Sequence, residues 1–400
     1  MLSRLLPLLV LLYTAPLEAT PPWPEARPDS VGMSEAALEE VDRLIDEAIA
    51  NGVTPGAALA IGRHGKLVRL RGYGYLDWEG ETKATASTIY DISSLTKVAG
   101  TTIGIMRHVE SGLIRLDDRV YRHLRWWPRK GRAGRVTIRH LLAHTSGLPA
   151  GVDLERRGRT RSQRIRSIAK LRFVSEPGRE ANYSDLGMIV LGAILEQKQG
   201  RRLDSYLRER VFQPLGLRET LFRPAEDASH LLGRTAPTEV NAYSGVAVHG
   251  VVHDPLAAAL DGVAGHAGLF SSARDLAVIS QKLLDTARSR RSAIVKPATL
   301  KLFTRRGRDD RGLGWDLASG DDSPAGQYLS ASTFGHTGFT GTSIWIDPEL
   351  DLFIVLLTNR LHPSASNVGH ILLRRQVHDA TALAITDRVL ARRSETFQDR

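Results

Sequence analysis

The sequence predicts an α+β protein, with strands near both ends of the chain and helices in the middle. Two predicted hairpins supply the strands: residues 56–62 and 66–73 flank a short turn containing glycine, and residues 342–346 and 352–358 flank an Asp-Pro turn. Between them, apolar runs such as 186–199 are long enough for buried helices and stop at glycine. The chain is therefore expected to combine a sheet region with a mostly helical region.

The other elements follow from capping residues and periodicity. Ser34 is predicted to cap a helix whose apolar residues fall on one face and which ends at Asn51-Gly52. Residues 333–338 resemble a strand, and a long amphipathic helix is predicted from about Asn367 to Leu390. Further helices are expected after Lys97, at 136–148, at 203–217, and from Ala273 and Pro297.

The composition is that of a globular protein with room for a large core and a buried cleft. Of 400 residues, 42% are hydrophobic and 24% are charged, and the chain has no cysteine, which excludes disulfides, cysteine nucleophiles and thiolate metal sites. The net charge is +10, carried mostly by arginine. Such a surface is either a solvated basic face or one that suits anionic envelope polymers or lipid headgroups. Nucleic-acid binding is not expected, because the basic runs lack interleaved aromatic residues.

The two ends of the chain are expected to lie outside the folded domain. Residues 1–19 have the pattern of a signal peptide, with Arg4 before an apolar run that is too short to span a bilayer. An uncleaved N-terminal anchor is the alternative. Residues 20–33 are predicted to be an extended leader, residues 34–390 the domain, and residues 391–400 a frayed tail. We therefore expect an exported protein, periplasmic or extracellular.

Ser94 and Lys97 are the first candidates for catalysis. If a helix starts at Ser94, the two side chains lie one turn apart on the same face. The residues after Lys97 are uncharged up to Arg107, so this turn is predicted to be buried. A buried lysine loses hydration, its pKa falls, and the neutral amine can take the proton that makes a serine hydroxyl nucleophilic.

Two other candidates are interpreted as structural. Ser167 and Lys170 repeat the spacing, but they lie among arginines on a charged segment where the lysine stays protonated. His144 is interpreted as a structural histidine at a helix end, because a cation suits that end.

Three short motifs follow one another along the chain: Ser94-x-x-Lys97, Tyr183-Ser184-Asp185 and His336-Thr337-Gly338. Their order resembles that of the serine β-lactamase and penicillin-binding-protein superfamily, above all the branch of class C β-lactamases, low-molecular-weight DD-peptidases and related esterases. Residues 144–148, 212–217, 265–272 and 312–315 also resemble family landmarks in the same order. The resemblance covers about Ser34 to Ile385.

The resemblance implies an architecture and a set of roles. An antiparallel sheet flanked by helices is implied for residues 34–93 with 270–390, and a mostly helical region for residues 94–269, with the site in the cleft between them. Ser94 is implied to attack an acyl carbon while Lys97 and Tyr183 share the proton transfers, and the backbone N–H groups of Ser94 and Phe339 are implied to hold the oxyanion. Asp185, His336, Thr337 and Gly338 are implied to contact the substrate.

Two positions depart from the family's pattern. Asp185 stands where asparagine is usual, and an ionised carboxylate only accepts hydrogen bonds, whereas an amide also donates them. His336 stands where lysine is frequent, so a permanent cation is replaced by a group expected to titrate near neutral pH. Both changes weaken the case for efficient β-lactam turnover.

The sequence therefore predicts a secreted serine hydrolase that forms an acyl-enzyme with D-alanyl peptides of the cell wall or with small carboxylic esters. A true β-lactamase and a catalytically silent cell-wall-binding protein on the same fold are the alternatives. The expected partners are a small-molecule or peptidoglycan-derived acyl substrate and an anionic envelope surface, with no cofactor and no metal. An α/β-hydrolase is not expected without a G-x-S-x-G motif, nor a zinc hydrolase without H-E-x-x-H.

Overall fold

The computed structural model describes residues 25–290, 294–320 and 322–393. The predicted signal peptide and the end of the predicted tail lie outside these ranges. Within them, no helix combines the length and the apolar character needed to cross a membrane.

Nine strands lie within the described residues and form two sheets. They are β1 (Gly56–Arg63), β2 (Lys66–Gly74), β3 (Tyr90–Asp91), β4 (Leu221–Phe222), β5 (Leu269–Ser271), β6 (Asp316–Leu317), β7 (Phe334–Thr337), β8 (Ser343–Asp347) and β9 (Leu352–Thr358). The main sheet is antiparallel, in the spatial order β2-β1-β9-β8-β7-β6. Because β1 lies beside β9, the strands from the two ends of the chain join in one sheet, and the predicted fold class and both predicted hairpins are confirmed.

One α-helix precedes the first strand of the described residues, one follows the last strand, and the others lie between β3 and β7. They are α1 (Glu35–Ala50), α2 (Ile103–Glu110), α3 (Ile138–Leu142), α4 (Arg161–Ser167), α5 (Asp185–Gln199), α6 (Leu203–Leu207), α7 (Pro224–Asp227), α8 (Pro255–Ala258), α9 (Ala273–Ala287), α10 (Pro297–Thr304) and α11 (His370–Leu383). Two π-helical segments, Lys97–Thr102 and Arg208–Phe212, continue into or from neighbouring helices. Short 3-10 helices occupy Pro28–Val31, Val120–Arg122, Ala133–Arg135, Glu155–Arg157, Ile168–Lys170, Gln213–Leu215, Ser229–Arg234 and Arg308–Asp310.

The main sheet is covered on both faces, and the alternation of side chains along β1 shows how. Ala57, Leu59 and Ile61 belong to a core shared with α1 and α11, which pack against each other. Ala58 and Ala60 point to the opposite face, where α9 packs, and belong to the core that extends into the helical region. Successive strand residues face opposite sides of a sheet, so a strand buried on both faces is apolar throughout.

The small sheet positions the candidate nucleophile. β3 pairs with β5, and β5 pairs with β4, which places a short strand inside the region predicted to be mostly helical. Asp91 ends β3, and Ser94 follows in the turn that leads into the π-helical segment. The buried helix α5 packs against that segment and against α3 and α6, so the turn lies at the junction of the sheet and the helical region.

Several predicted boundaries are wrong. The C-terminal helix spans residues 370–383 rather than 367–390, because Ile385 pairs as a β-bridge with Met33 instead of continuing the helix. The helix expected at 136–148 is only α3. The described part of the leader is packed, with Pro28–Val31 helical, and in the tail Arg393 is buried and donates to the Leu329 carbonyl oxygen.

Candidate active site

Ser94 lies in a tight turn whose backbone is fixed by local hydrogen bonds. Ser93 takes up a left-handed conformation with φ +47°, and its N–H donates to Asp91 Oδ1 over 2.8 Å. The N–H groups of Leu95 and Lys97 donate to the carbonyl oxygens of Ile92 and Ser94, each over 3.0 Å. The turn therefore enters a helical segment directly, and the Ser94 and Lys97 side chains lie on the same side of it, as their spacing predicts.

Lys97 is fully buried, and three groups surround its ammonium nitrogen. Nζ lies 2.7 Å from Ser94 Oγ, 2.7 Å from Asp185 Oδ1 and 3.2 Å from the carbonyl oxygen of His266. The Ser94 hydroxyl and the His266 carbonyl oxygen accept hydrogen bonds from the ammonium group, and the Asp185 carboxylate forms an ion pair with it. The contacts suit the charged form of the side chain.

The expectation that burial lowers the pKa of Lys97 is wrong for this site. Burial by itself acts in that direction, but the adjacent Tyr183 and the Asp185 carboxylate outweigh it and raise the pKa above its ordinary value of 10.5. Lys97 is therefore an ammonium at neutral pH. It can donate to Ser94 and stabilise negative charge, but it is not the free base of the resting site.

Tyr183 is the second side chain that reaches the nucleophile. Its hydroxyl donates to Ser94 Oγ over 3.2 Å. Two cations lie against its ring, with Lys97 Nζ 4.9 Å and Arg311 Cζ 5.1 Å from the ring centroid. Positive charge at these positions favours negative charge on the phenol oxygen during proton transfer.

His144 supports Tyr183, with which its ring stacks at a centroid distance of 4.6 Å and an angle of 27°. Its Nδ1 accepts a hydrogen bond from the Ser184 N–H over 3.0 Å, which fixes the backbone next to Tyr183. Burial, together with the charges of Arg311 and Lys97, holds the pKa of His144 well below its ordinary value. The structural interpretation agrees with these contacts, but the reason given for it is wrong, because the ring is neutral and not a cation at a helix end.

His336 is also buried and neutral. Its Nδ1–H donates to the Thr337 carbonyl oxygen over 2.7 Å, and its ring centroid lies 6.1 Å from that of Tyr183. Burial lowers its pKa, and the opposing effect of Asp316 is smaller. The pKa of His336 therefore lies below the ordinary histidine value, lower than the sequence led us to expect, and the neutral form predominates at and above that value.

The loop after β7 brings the predicted oxyanion-hole donor to the Ser93–Ser94 turn. The Phe339 N–H donates to Ser93 Oγ over 3.3 Å, while the Phe339 side chain is 55% exposed. Gly338 is required for this approach, because a Cβ there would lie 2.1 Å from Thr342 Oγ1 and 2.7 Å from the Ile92 carbonyl oxygen. The Phe339 N–H faces the nucleophile's turn, and its present hydrogen-bond acceptor is the hydroxyl of Ser93.

Two parts of the site were not predicted. Arg311 is ion-paired with Asp316 and lies against Tyr183, next to the Gly312–Trp315 landmark that could have drawn attention to it. His266, within the 265–272 landmark, donates from Nε2 to Asp254 Oδ1 over 2.8 Å, and its carbonyl oxygen contacts Lys97. A contact with a backbone oxygen carries no sequence signal.

The second serine–lysine pair has no comparable surroundings. Ser167 Oγ donates to the carbonyl oxygen of Arg164, a bond within its own helix, and Lys170 is exposed. Its structural interpretation agrees with these contacts. Ser94, Lys97, Tyr183 and Asp185 are the predicted side chains that the fold does bring together.

One group of side chains in the described residues has the composition of a metal site. Ligand atoms of Asp185, Asp254 and His266 lie within 4.8 Å of one another. Asp185 is already ion-paired with Lys97, and Asp254 accepts a hydrogen bond from His266. Each carboxylate therefore already has a protein partner, and we assign no metal to the group.

An antiparallel sheet, a helical region, and a serine–lysine turn at their junction define the class of β-lactamases and penicillin-binding proteins. The chain belongs to the beta-lactamase family, whose sequence model matches residues 41–379. It is 31% identical to the "N-acetylmuramyl-L-alanine amidase" of Bacillus subtilis (strain 168) over 84% of this chain and 83% of that protein. It is also 31% identical to a "Putative D-alanyl-D-alanine carboxypeptidase" of Escherichia coli (strain K12), over 84% of this chain and 86% of that one.

Comparison with a solved structure also places the fold among hydrolases. The fold matches that of "EstCE1, a hydrolase with promiscuous acyltransferase activity", with a TM-score of 0.71 and 27% sequence identity over 87% of this chain and 99% of that one. The chain is thus similar to proteins named as an amidase, as putative carboxypeptidases and as a hydrolase with promiscuous acyltransferase activity. The roles of the individual site residues remain predictions.

Proposed function

We propose that this protein is an exported serine hydrolase that forms an acyl-enzyme on Ser94. The observation that carries the proposal is that Ser94 Oγ lies within hydrogen-bond distance of both Lys97 Nζ, at 2.7 Å, and the Tyr183 hydroxyl, at 3.2 Å. A serine hydroxyl becomes a useful nucleophile only when a neighbour can receive its proton. In this site two polar groups contact the serine oxygen directly.

In the proposed reaction, Tyr183 first loses its hydroxyl proton to water. Ser94 Oγ then bonds to the acyl carbon while its own proton passes to the phenolate oxygen of Tyr183. Lys97, held as an ammonium by Asp185, stabilises the negative charge on that oxygen. The carbonyl oxygen becomes an oxyanion, which accepts hydrogen bonds from the N–H groups of Phe339 and Ser94. The bond to the leaving group then breaks, Tyr183 returns the proton to the leaving atom, and water releases the acyl group by the reverse sequence.

We propose D-alanyl peptides of the cell wall as the first substrate class and small carboxylic esters as the second. The similarity to the Escherichia coli protein supports the first, and the similarity to EstCE1 supports the second. Arg311 favours the first class, because its guanidinium lies beside Tyr183 and offers positive charge to a substrate carboxylate where the third motif has no lysine.

Intact-protein mass measured after incubation with a penicillin and, separately, with a fluorophosphonate tests the proposal. We expect an adduct on the wild type, none on Ser94→Ala, and an unchanged adduct on Ser167→Ala, the matched control in the second serine–lysine pair. A penicillin adduct would support the peptide-directed site, and a fluorophosphonate adduct alone would support the ester-directed one. Absence of both, with substrate turnover also absent, would contradict the proposal.

A catalytically silent cell-wall-binding protein is the second candidate, and two observations favour it. Lys97 is an ammonium in the resting site, and the Phe339 N–H is already bonded to Ser93. That candidate requires saturable binding of peptidoglycan fragments that survives Ser94→Ala with no covalent adduct. A true β-lactamase requires instead that a chromogenic cephalosporin is hydrolysed steadily and that Ser94→Ala abolishes this hydrolysis.

A further inference from the structure

Arg374, on helix α11, lies beneath the loop that carries Phe339. Its side chain is buried, and its guanidinium donates to three backbone carbonyl oxygens of this loop: those of Gly338, of Thr342 over 2.9 Å, and of Gly341 over 3.2 Å. Neighbouring residues on the same helix, such as Leu373 and Val377, are apolar core residues. A guanidinium at this position is therefore not explained by packing alone.

The described residues provide no carboxylate as an ion-pair partner for Arg374. A buried charge without a counter-ion is costly unless polar groups solvate it, and here the polar groups are the loop's carbonyl oxygens. Arginine is suited to this task because its planar fork presents several donors in fixed directions. The contacts consequently fix the directions of several peptide groups in one loop.

The direction of one of these peptide groups matters for catalysis. In a trans peptide the C=O and the following N–H point in opposite directions. Because the Gly338 carbonyl oxygen points to Arg374, the Phe339 N–H points away from it, towards Ser93 Oγ and the nucleophile's turn. The next peptide is held as well, since Arg360 Nε donates to the Phe339 carbonyl oxygen over 2.9 Å.

We propose that Arg374 is a positioning residue of the oxyanion hole, which holds the Gly338–Phe339 peptide with its N–H directed at the site. The inference rests on the proposed function for its catalytic meaning. It also makes a structural claim that does not depend on activity, namely that this peptide turns when the guanidinium is removed.

The test uses Arg374→Lys, which keeps a charge and some donors, and Arg374→Met, which removes both. Arg63→Lys is the matched control: Arg63 is fully buried and also donates to backbone carbonyl oxygens, those of Val31 and Gly32, but it lies at the opposite end of the main sheet from the Phe339 loop. Each variant is compared at equal concentration of titrated active sites, with melting temperature recorded separately.

We expect Arg374→Met to lower kcat/KM for an acyl substrate by about 10–100-fold, at or below the loss of about 10²–10³-fold seen when one oxyanion donor is removed, because the N–H is misdirected and not deleted. The affinity for a boronic acid, whose adduct with a serine is tetrahedral, should fall by a similar factor, while KM changes little. Arg374→Lys should show a smaller fall in both kcat/KM and boronic-acid affinity. Arg63→Lys should lower the melting temperature without changing kcat/KM. Equal losses in Arg63→Lys, or an unchanged boronate affinity in Arg374→Met, would overturn the proposal.

A crystal structure separates failure of this inference from failure of the proposed function. If the wild type acylates no substrate, the function fails, but the direction of the Gly338–Phe339 peptide in Arg374→Met still decides the inference. A peptide that keeps its N–H on Ser93 would overturn it, and a rotated peptide would support it. If Arg374→Met does not fold, the boronate affinity of Arg374→Lys decides the inference: a partial fall would support it, and an affinity equal to that of the wild type would overturn it.

Discussion

Lys97 and Asp185 form an ion pair within the candidate active site, with Nζ and Oδ1 2.7 Å apart. The family's asparagine would place an amide at this position, whereas the aspartate acts together with Tyr183 to raise the pKa of Lys97. The charge of Lys97 thus depends in part on a side chain that departs from the family's pattern.

Asp185→Asn is expected to change the pH dependence of acylation. Without the carboxylate, one of the two groups that raise the pKa of Lys97 is lost, so this pKa falls and the stabilising ammonium is lost at lower pH. The basic limb of the pH profile of kcat/KM should therefore move to lower pH. Asp117→Asn, which removes an exposed carboxylate paired with Arg139, is the control and should leave the profile unchanged. A basic limb that does not move in Asp185→Asn would show that Asp185 does not control this titration.

His336→Gln is expected to leave the pH profile near neutrality unchanged. Burial lowers the pKa of His336, so the ring is already neutral at and above the ordinary histidine value of about 6.5 and contributes no ionisation there. Measuring kcat/KM on both proteins between about pH 6.5 and 8 checks this expectation. An ionisation near the ordinary value that disappears in the variant would contradict it.

Arg311→Met is expected to weaken the binding of peptides that end in a free carboxylate. A charge-assisted hydrogen bond contributes about 1.5–3 kcal/mol, so KM for a D-alanyl peptide should rise about tenfold or more. A neutral ester provides the internal control, because it has no carboxylate to lose. If both substrates suffer equally, Arg311 acts by supporting the Tyr183 ring rather than by binding the substrate.

Gly338→Ala is expected to impair catalysis more than folding. The added Cβ would lie 2.7 Å from the Ile92 carbonyl oxygen, so the loop must move away from the nucleophile's turn and take the Phe339 N–H with it. Loss of that donor should lower kcat/KM about 10²-fold. Gly233→Ala is the matched control, since a Cβ there meets no atom within 4 Å. An unchanged kcat/KM in Gly338→Ala would contradict the assignment of the Phe339 N–H to the oxyanion hole.

Features that depend on local pattern could be predicted from the sequence. The two hairpins and the contact between Ser94 and Lys97 follow from alternation, turn residues and helical spacing, and the structure agrees with them. The same patterns predicted the α+β class with its central helices. The order of the three motifs then indicated the family, whose known architecture agrees with that prediction.

Features that depend on distant neighbours could not be predicted. The charge of Lys97 depends on Asp185, and the neutrality of His336 depends on how deeply the completed sheet buries it. Arg311 and Arg374 stand outside the three motifs and contact the site only through the fold. The end of α11 was misplaced because Ile385 finds its partner at the opposite end of the chain.

The pairing of β1 with β9 has a consequence for how the protein acquires activity. During translation β1 is synthesised early and β9 near the end. The edge of β1 that pairs with β9 therefore stays unpaired and apolar until almost the whole polypeptide has been synthesised. Contacts between residues so far apart in sequence form slowly. The Phe339 loop can therefore reach the Ser94 turn only after the last strand has been synthesised. Truncated chains should be inactive and prone to aggregation, and not weakly active.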